Sequence, residues 1–261
     1  MLKFSVANTK IKNLTKYREL SKFLKNKRKI YSFDLLSGWS CPFASECLSK
    51  VYEIDGKRKL KDGPKNKFRC FSASQEVVFP ATYNLRKANF DFLKTQTMDQ
   101  MWQNIDYYMP NNLGIGRIHV GGDFFSSAYL YARCIVAEKN KDRLFYAYTK
   151  SLSYWLKHRN DVPKNLILTA SRGGRLDNLI DTHNLRESRV VFSEGEAKKL
   201  KLSIDHDDSH AARPSLANKS FALLIHGQQP AGSEAGAAIK EMKKNGTKFA
   251  YGKNSPHKVG V

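Results

Sequence analysis

The sequence predicts an α/β fold: a partial (βα) barrel of about six mostly parallel strands, with a basic N-terminal helix and a hairpin insert. Three observations predict it. Beyond residue 110, short apolar runs alternate about six times with amphipathic stretches, the pattern of parallel βα units. The apolar runs end on polar or glycine residues, and ligands gather at the carboxyl ends of parallel strands. No low-complexity tract or linker divides the 261 residues, so 1–261 reads as a single domain. Within it, 1–30 form a basic arm and helix, 31–75 a cysteine-bearing loop with the insert, and 76–261 the βα core.

Taken in order, residues 1–13 read as an irregular arm. Leu14, Tyr17, Leu20, Phe23 and Leu24 recur at helical spacing, which predicts an amphipathic helix from Leu14 to Lys29. Ile30 to Leu36 reads as a strand ended by Ser37-Gly38. In the insert, Asp55-Gly56 between alternating residues marks a two-residue hairpin turn. Helices are expected over Ala81–Thr95 and Met98–Met109, the second stopped by Pro110. Then follow a strand at Arg117–Asp123, a helix at Ser126–Glu138, a strand at Leu144–Lys150 and a short helix at Leu152–His158. Strands at Asn165–Ser171, Arg189–Ser193, Leu202–Asp205 and Phe221–His226 complete the core, with helices at Glu194–Leu200 and Ser233–Lys244.

The charge balance is extreme. A formal net charge of +21 and a pI near 9.8 exceed what solubility requires. Lys10 to Lys29 carry nine basic residues against Glu19 alone; a second basic segment runs from Lys50 to Arg69, and a third includes Lys240, Lys243, Lys244, Lys248, Lys253 and Lys258. Three separate basic segments suit DNA or RNA, whose phosphates reward Lys and Arg through counterion release. Lys25, Lys27, Arg28, Lys29, Lys57, Arg58 and Lys59 are the candidate contacts. A solvated basic surface or an anionic membrane surface is the alternative. No run is long and apolar enough to span a membrane, and no signal-peptide pattern opens the chain, so a cytoplasmic protein with reduced thiols is expected.

Cys41, Cys47 and Cys70 sit beside turn-forming residues in a loop that leaves a strand, where thiolates can converge on a metal. An iron–sulfur cluster takes such thiolates, and three of them leave one iron open. Zinc is the alternative, although structural zinc favours shorter ligand loops and needs a fourth ligand. Cys134 falls on the packed side of a helix. Gly121, Gly122 and Asp123 end a strand where a backbone can approach a ligand and an acid can bind an amine. Thr149, Lys150, Ser171 and Arg172, on consecutive strand ends, suit a carboxylate or phosphate. Asp205, His206, Asp207 and His210 lie within six residues, as an acid–base or divalent-metal set, or as a cap balanced by Arg213. His226 ends the last strand.

Several phrases carry a resemblance: Ser32-Phe-Asp-Leu, Ser-Cys41-Pro, Phe-Arg-Cys70-Phe-Ser-Ala-Ser-Gln-Glu, His119-Val-Gly-Gly-Asp-Phe-Phe-Ser, Phe-Tyr-Ala-Tyr-Thr149-Lys-Ser, Leu-Thr-Ala-Ser171-Arg-Gly-Gly-Arg and Asp205-His-Asp-Asp-Ser-His. Over Ser32 to Ala212 they resemble the phage and plasmid "gene product eighty-eight" family. The layout is also distantly similar to the radical S-adenosylmethionine enzymes. That likeness implies a [4Fe–4S] cluster on Cys41, Cys47 and Cys70. It places Gly121, Gly122 and Asp123 toward the methionine amine of S-adenosylmethionine, and Lys150, Ser171 and Arg172 near its carboxylate or the substrate. In that superfamily the three cysteines stand close together, whereas here the third follows a long insert. The expected function is a radical S-adenosylmethionine-like iron–sulfur protein that acts on or binds nucleic acid. The alternative is a non-catalytic iron–sulfur or zinc accessory protein for DNA or RNA.

Overall fold

A computed structural model describes residues 1–247; Lys248, Lys253 and Lys258 lie outside them. The N-terminal arm holds a two-residue strand, β1 (Ser5–Val6), and one helical turn, α1 (Thr9–Lys12), before β2 (Lys29–Phe33). A hairpin follows, β3 (Ser49–Ile54) and β4 (Lys57–Asp62), and then three helices: α2 (Phe71–Val78), α3 (Pro80–Leu93) and α4 (Met98–Tyr108). Next come β5 (Leu113–Ile118), α5 (Ser127–Lys139), β6 (Leu144–Thr149), α6 (Leu152–Lys157), β7 (Leu166–Ser171) and α7 (Asn178–Thr182). The chain closes with β8 (Glu187–Val191), α8 (Glu194–Lys199), β9 (Ser203–Ile204), α9 (Ser209–Ala212), β10 (Phe221–Leu224) and α10 (Glu234–Lys244).

The main sheet runs β1-β2-β5-β6-β7-β8-β10-β9, parallel throughout except for β1. From β2 to β8 each parallel strand of this sheet lies beside the next through a crossover, as the βα alternation predicts; β10 then inserts between β8 and β9. On one face, α4 and α5 pack on Leu113, Ile118, Phe145, Ala147, Leu166 and Leu168. On the other, Ile11, Leu14 and Leu20 of the arm and Ala211 and Ala212 of α9 cover Ile115, Leu144, Tyr146 and Phe221. Residues of β5 and β10, four places apart in the sheet, line one cavity. In a flat sheet those strands would stand about 19 Å apart at ~4.8 Å per step. The sheet is therefore rolled, an open arc with its strand ends around a common mouth.

Two local departures have clear causes. The predicted helix from Leu14 to Lys29 is instead two short 3-10 segments, Asn13–Lys16 and Arg18–Phe23, broken at Tyr17, whose backbone is extended. Tyr17 donates its hydroxyl to Asp207 at 2.8 Å, and Leu14 and Leu20 bury against the sheet. Tertiary contacts override the helical spacing there. The strand expected to end in Gly121-Gly122 stops at Ile118; it starts instead at Leu113 and carries its glycines inside. A Cβ at Gly114 would strike the Phe23 carbonyl, and one at Gly116 the ring of Phe145. Only glycine permits these approaches.

Candidate functional site

The mouth of the arc holds a cavity of about 180 Å³, lined by Cys41, Cys47 and Cys70 together with Gly121, Gly122, Asp123, Thr149, Lys150 and Ser171. Five segments deliver these residues. The loop after β2 carries Cys41 and Cys47, the N-terminus of α2 carries Cys70, and the turn after β5 and the carboxyl ends of β6 and β7 bring the rest. Thiols 29 positions apart in the chain thus line one cavity.

Each cysteine is positioned by its own contacts. The Gly38 N–H donates to Cys41 Sγ at 3.4 Å, from a left-handed backbone (φ +72°) that suits glycine. Ser40 Oγ donates to the Leu36 carbonyl at 2.8 Å and accepts the Asp123 N–H, tying the loop to the Gly-Gly-Asp turn. Glu46 N–H donates to Gly173 O and Arg175 N–H to Phe43 O, which clamps the stretch around Cys47 to the loop after β7. Cys70 opens α2; its N–H donates to Ser49 Oγ, and the Ser72 and Ala73 N–H groups favour its thiolate. Burial nevertheless dominates. It pushes the Cys70 thiol up to about 12 and raises those of Cys41 and Cys47; Asp123, Cys70 and Cys47 raise Cys41 further, and Cys47 raises Cys70. Left alone, all three are neutral thiols at neutral pH. A bound cation would reverse that, because metal binding displaces thiol protons. Among the described residues, no three His, Cys, Asp or Glu side chains are grouped so as to hold a metal ion.

The acid and the lysine of this site are already engaged. Asp123 accepts from Phe124 N–H (2.7 Å), Thr149 Oγ1 (2.6 Å) and Lys150 N–H (2.8 Å). Burial raises its pKa to about 6 in spite of these donors. Lys150 Nζ donates to Ser171 O, Ser171 Oγ and Arg172 O, so its three protons bridge β6 to β7. Arg172 does not line the cavity; it pairs with Glu187 and Asp181.

Below the thiols lies a charged layer. Asp208 ion-pairs with Lys10 (3.0 Å) and with Arg117, and accepts the Tyr146 hydroxyl at 3.0 Å. All three charged groups line the cavity. The expected acid–base set is split around this layer. Asp205 and His206 line a second cavity of about 460 Å³, separated from the first by Phe71 and His226, whose rings lie 4.8 Å apart. Asp207 accepts from Tyr17, and His210 lies beside Asp205 and the ring of Phe221. Neither Asp207 nor His210 lines the two cavities. Arg213, the expected counterion, pairs with Glu19 instead.

Sequence reasoning gave Asp208 a place in the acidic cluster but no partner, assigned no site role to Lys10 or Arg117, and passed over a buried pair, Glu76 and Arg86, that holds the cysteine loop through Ser37. Arg117 carried a legible signal, a charge inside an otherwise apolar strand. Among the basic candidates, Lys57 and Lys59 are exposed on the hairpin, as are Lys25, Lys27 and Lys29 on the stretch before and into β2. Arg58 is turned inward, its guanidinium donating to Val77 O and standing 5.8 Å from the Tyr83 ring centre. Arg28 is paired with Asp142. No helix among the described residues is long and apolar enough to cross a membrane.

The family model described as Gene product 88 matches residues 2–248, and the chain belongs to that family, the one its motifs resemble. No curated protein and no solved structure matches the chain.

Proposed function

We propose that this member of the Gene product 88 family binds a [4Fe–4S] cluster at the mouth of its rolled sheet, in the manner of radical S-adenosylmethionine enzymes, and acts on or binds nucleic acid. One observation carries the reading: three thiols from two distant points in the chain line one cavity beside a Gly-Gly-Asp turn. The donor chemistry fits the group. Each thiolate of a cluster takes a different iron, so the sulfurs need not crowd around a single point as they must for zinc. Cys41, Cys47 and Cys70 would be the ligands, with the Gly38, Ser72 and Ala73 N–H groups stabilising thiolate charge. When bound, such a cluster supplies a low-potential electron and an open iron able to take the amine and carboxylate of S-adenosylmethionine.

The chain's own residues bind and orient around that position. Gly121 and Gly122 keep the backbone bare; side chains there would meet Ser72 and Arg86, or Ser40 and Leu35. Asp123 fixes the turn, and Lys150 holds the β7 loop. Asp205 and His206, across the Phe71–His226 partition, are the acid–base candidates for a substrate.

A second reading, a non-catalytic iron–sulfur protein that binds DNA or RNA, is favoured by the saturation of Asp123 and Lys150 within the fold. Iron and sulfide analysis of anaerobically purified protein tests both. Near-stoichiometric iron and sulfide, lost in Cys41→Ser, Cys47→Ser and Cys70→Ser but kept in Cys134→Ser, is the expected result; colourless, zinc-loaded protein overturns both cluster readings. Release of 5′-deoxyadenosine from S-adenosylmethionine by reduced, loaded protein separates the catalytic reading from the other.

A further inference from the structure

The β3–β4 hairpin presents a second, independently built surface. Its register pairs Lys50 with Lys61, Tyr52 with Lys59 and Ile54 with Lys57, and strand alternation sets these six side chains on one face. The opposite face turns Val51 and Leu60 into a small core with Ala73 and Tyr83. Like charges directly across a ladder destabilise a hairpin, and no acid shares the face with Lys50 and Lys61. The ion pairs closest by, Lys67–Glu46 and Arg69–Asp62, are made elsewhere.

At the base of this face stands Trp39, 41% exposed. Its indole N–H donates to Val51 O at 2.9 Å, and its edge meets Tyr52 with centroids 5.1 Å apart at 68°. The Lys50 ammonium lies 4.6 Å from the centre of its ring. The preceding Gly38 packs so closely on Ser49 that a Cβ would collide with the carbonyl. The indole is thus held rigidly, which lowers the ordering cost of any contact it makes. It is also two residues from Cys41, beside the mouth of the arc.

We propose that this face binds single-stranded nucleic acid, with bases stacked on Trp39 and Tyr52 and the flanking phosphates neutralised by Lys50, Lys57, Lys59 and Lys61. Alternate residues of a strand stand about 7 Å apart, a spacing that an extended polynucleotide matches phosphate by phosphate. Rings offered beside a cationic ladder select unpaired bases, whose π-faces are open, over duplex, whose bases are already stacked. The assignment rests on the nucleic-acid half of the function proposed above and not on the cluster.

Labelled oligothymidylate, oligouridylate and a duplex, titrated into the full chain, test it. Both single strands bind and quench tryptophan emission, and their relative affinities distinguish a DNA from an RNA strand. Trp39→Ala weakens single-strand binding roughly tenfold or more, and Trp39→Phe restores most of it. Replacing Lys57, Lys59 and Lys61 together by Gln lowers the salt slope by about 2, at ~0.7 per lysine. Should Trp39→Ala fail to fold, Tyr52→Leu combined with the triple Gln change reads the same face from its solvent side. Parental affinity in these variants, or equal losses for duplex and single strand, overturns the proposal. Iron and sulfide content stays at the parental level in every platform variant, so lost binding with retained metal, or the reverse, shows which of the two readings has failed.

Discussion

Ser37, Glu76 and Arg86 show how single residues fix the cysteine loop. Glu76 Oε1 accepts from the Ser37 N–H (3.0 Å), the Ser37 hydroxyl (2.7 Å) and Arg86 (3.1 Å), all out of reach of water. Removing one partner of a buried pair strands the other charge. Arg86→Ala is expected to cost about 3–5 kcal/mol in urea unfolding, and the double change Glu76→Gln, Arg86→Met to recover most of it. Asp208 makes a pH-dependent case. Burial alone would raise its pKa, but Arg117 and Lys10 outweigh burial and hold it below the ordinary value of 3.8. A depressed folded-state pKa gives stability that is present above the unfolded value and lost as pH falls through the folded one. The advantage of the parent over Asp208→Asn in unfolding free energy is therefore constant above about pH 4 and shrinks below it. Asn suits the test because position 208 has a left-handed backbone (φ +65°) that Asn tolerates. None of these partners could be matched from sequence, because Ser37, Glu76 and Arg86, like Lys10, Arg117 and Asp208, meet only after the sheet rolls. The cysteines were legible because their setting, small and turn-forming residues after a strand, is local.

At the level of elements, the hairpin is docked rather than appended. Ser49 Oγ donates to Asp62 and accepts from Asn66 and from the Cys70 N–H, so the base of the insert also sets where α2 begins. Gly38 closes the other side. Gly38→Ala is expected to destabilise by more than 1 kcal/mol, since the left-handed backbone and the Ser49 contact both oppose a Cβ. It should also speed proteolytic cleavage at the exposed Asp55-Gly56 turn, read by mass spectrometry. Asp55-Gly56 announced the hairpin in the sequence, since both positions need a positive φ (+51° and +69°) and this pair supplies it. The helix α2 was not announced. It is one short element of mixed residues whose buried positions are Ser72, Ala73, Ser74 and Glu76, small or polar side chains with no apolar period to detect. The 14–29 stretch erred in the opposite direction, with a helical period used by 3-10 turns that bury Leu14 and Leu20 against the sheet.

Across the whole molecule, the order of strands follows the chain with one inversion, β10 lying between β8 and β9. The alternation of apolar and amphipathic runs foretold the parallel sheet because each βα unit repeats the same local pattern. The degree of rolling, set by contacts between distant strands, was not written in any one segment. The N-terminal arm closes the structure from beneath: Leu2 and Ile11 are buried, Asn89 exchanges hydrogen bonds with the Lys3 backbone, and Lys10 reaches Asp208. Deleting residues 2–12 forfeits the burial of two large aliphatic side chains, about 1.5–3 kcal/mol each, and leaves Asp208 without one of its partners. A thermal midpoint lowered by about 10 °C or more is expected. Cys134 has a consequence of its own. It sits in the main core on α5, 2% exposed, outside the lining of the mouth cavity. An alkylating reagent therefore meets two populations in one polypeptide. The mouth cysteines are modified at the pace of local breathing and Cys134 only when the entire chain comes apart, so the protein carries a built-in stopwatch for its own unravelling.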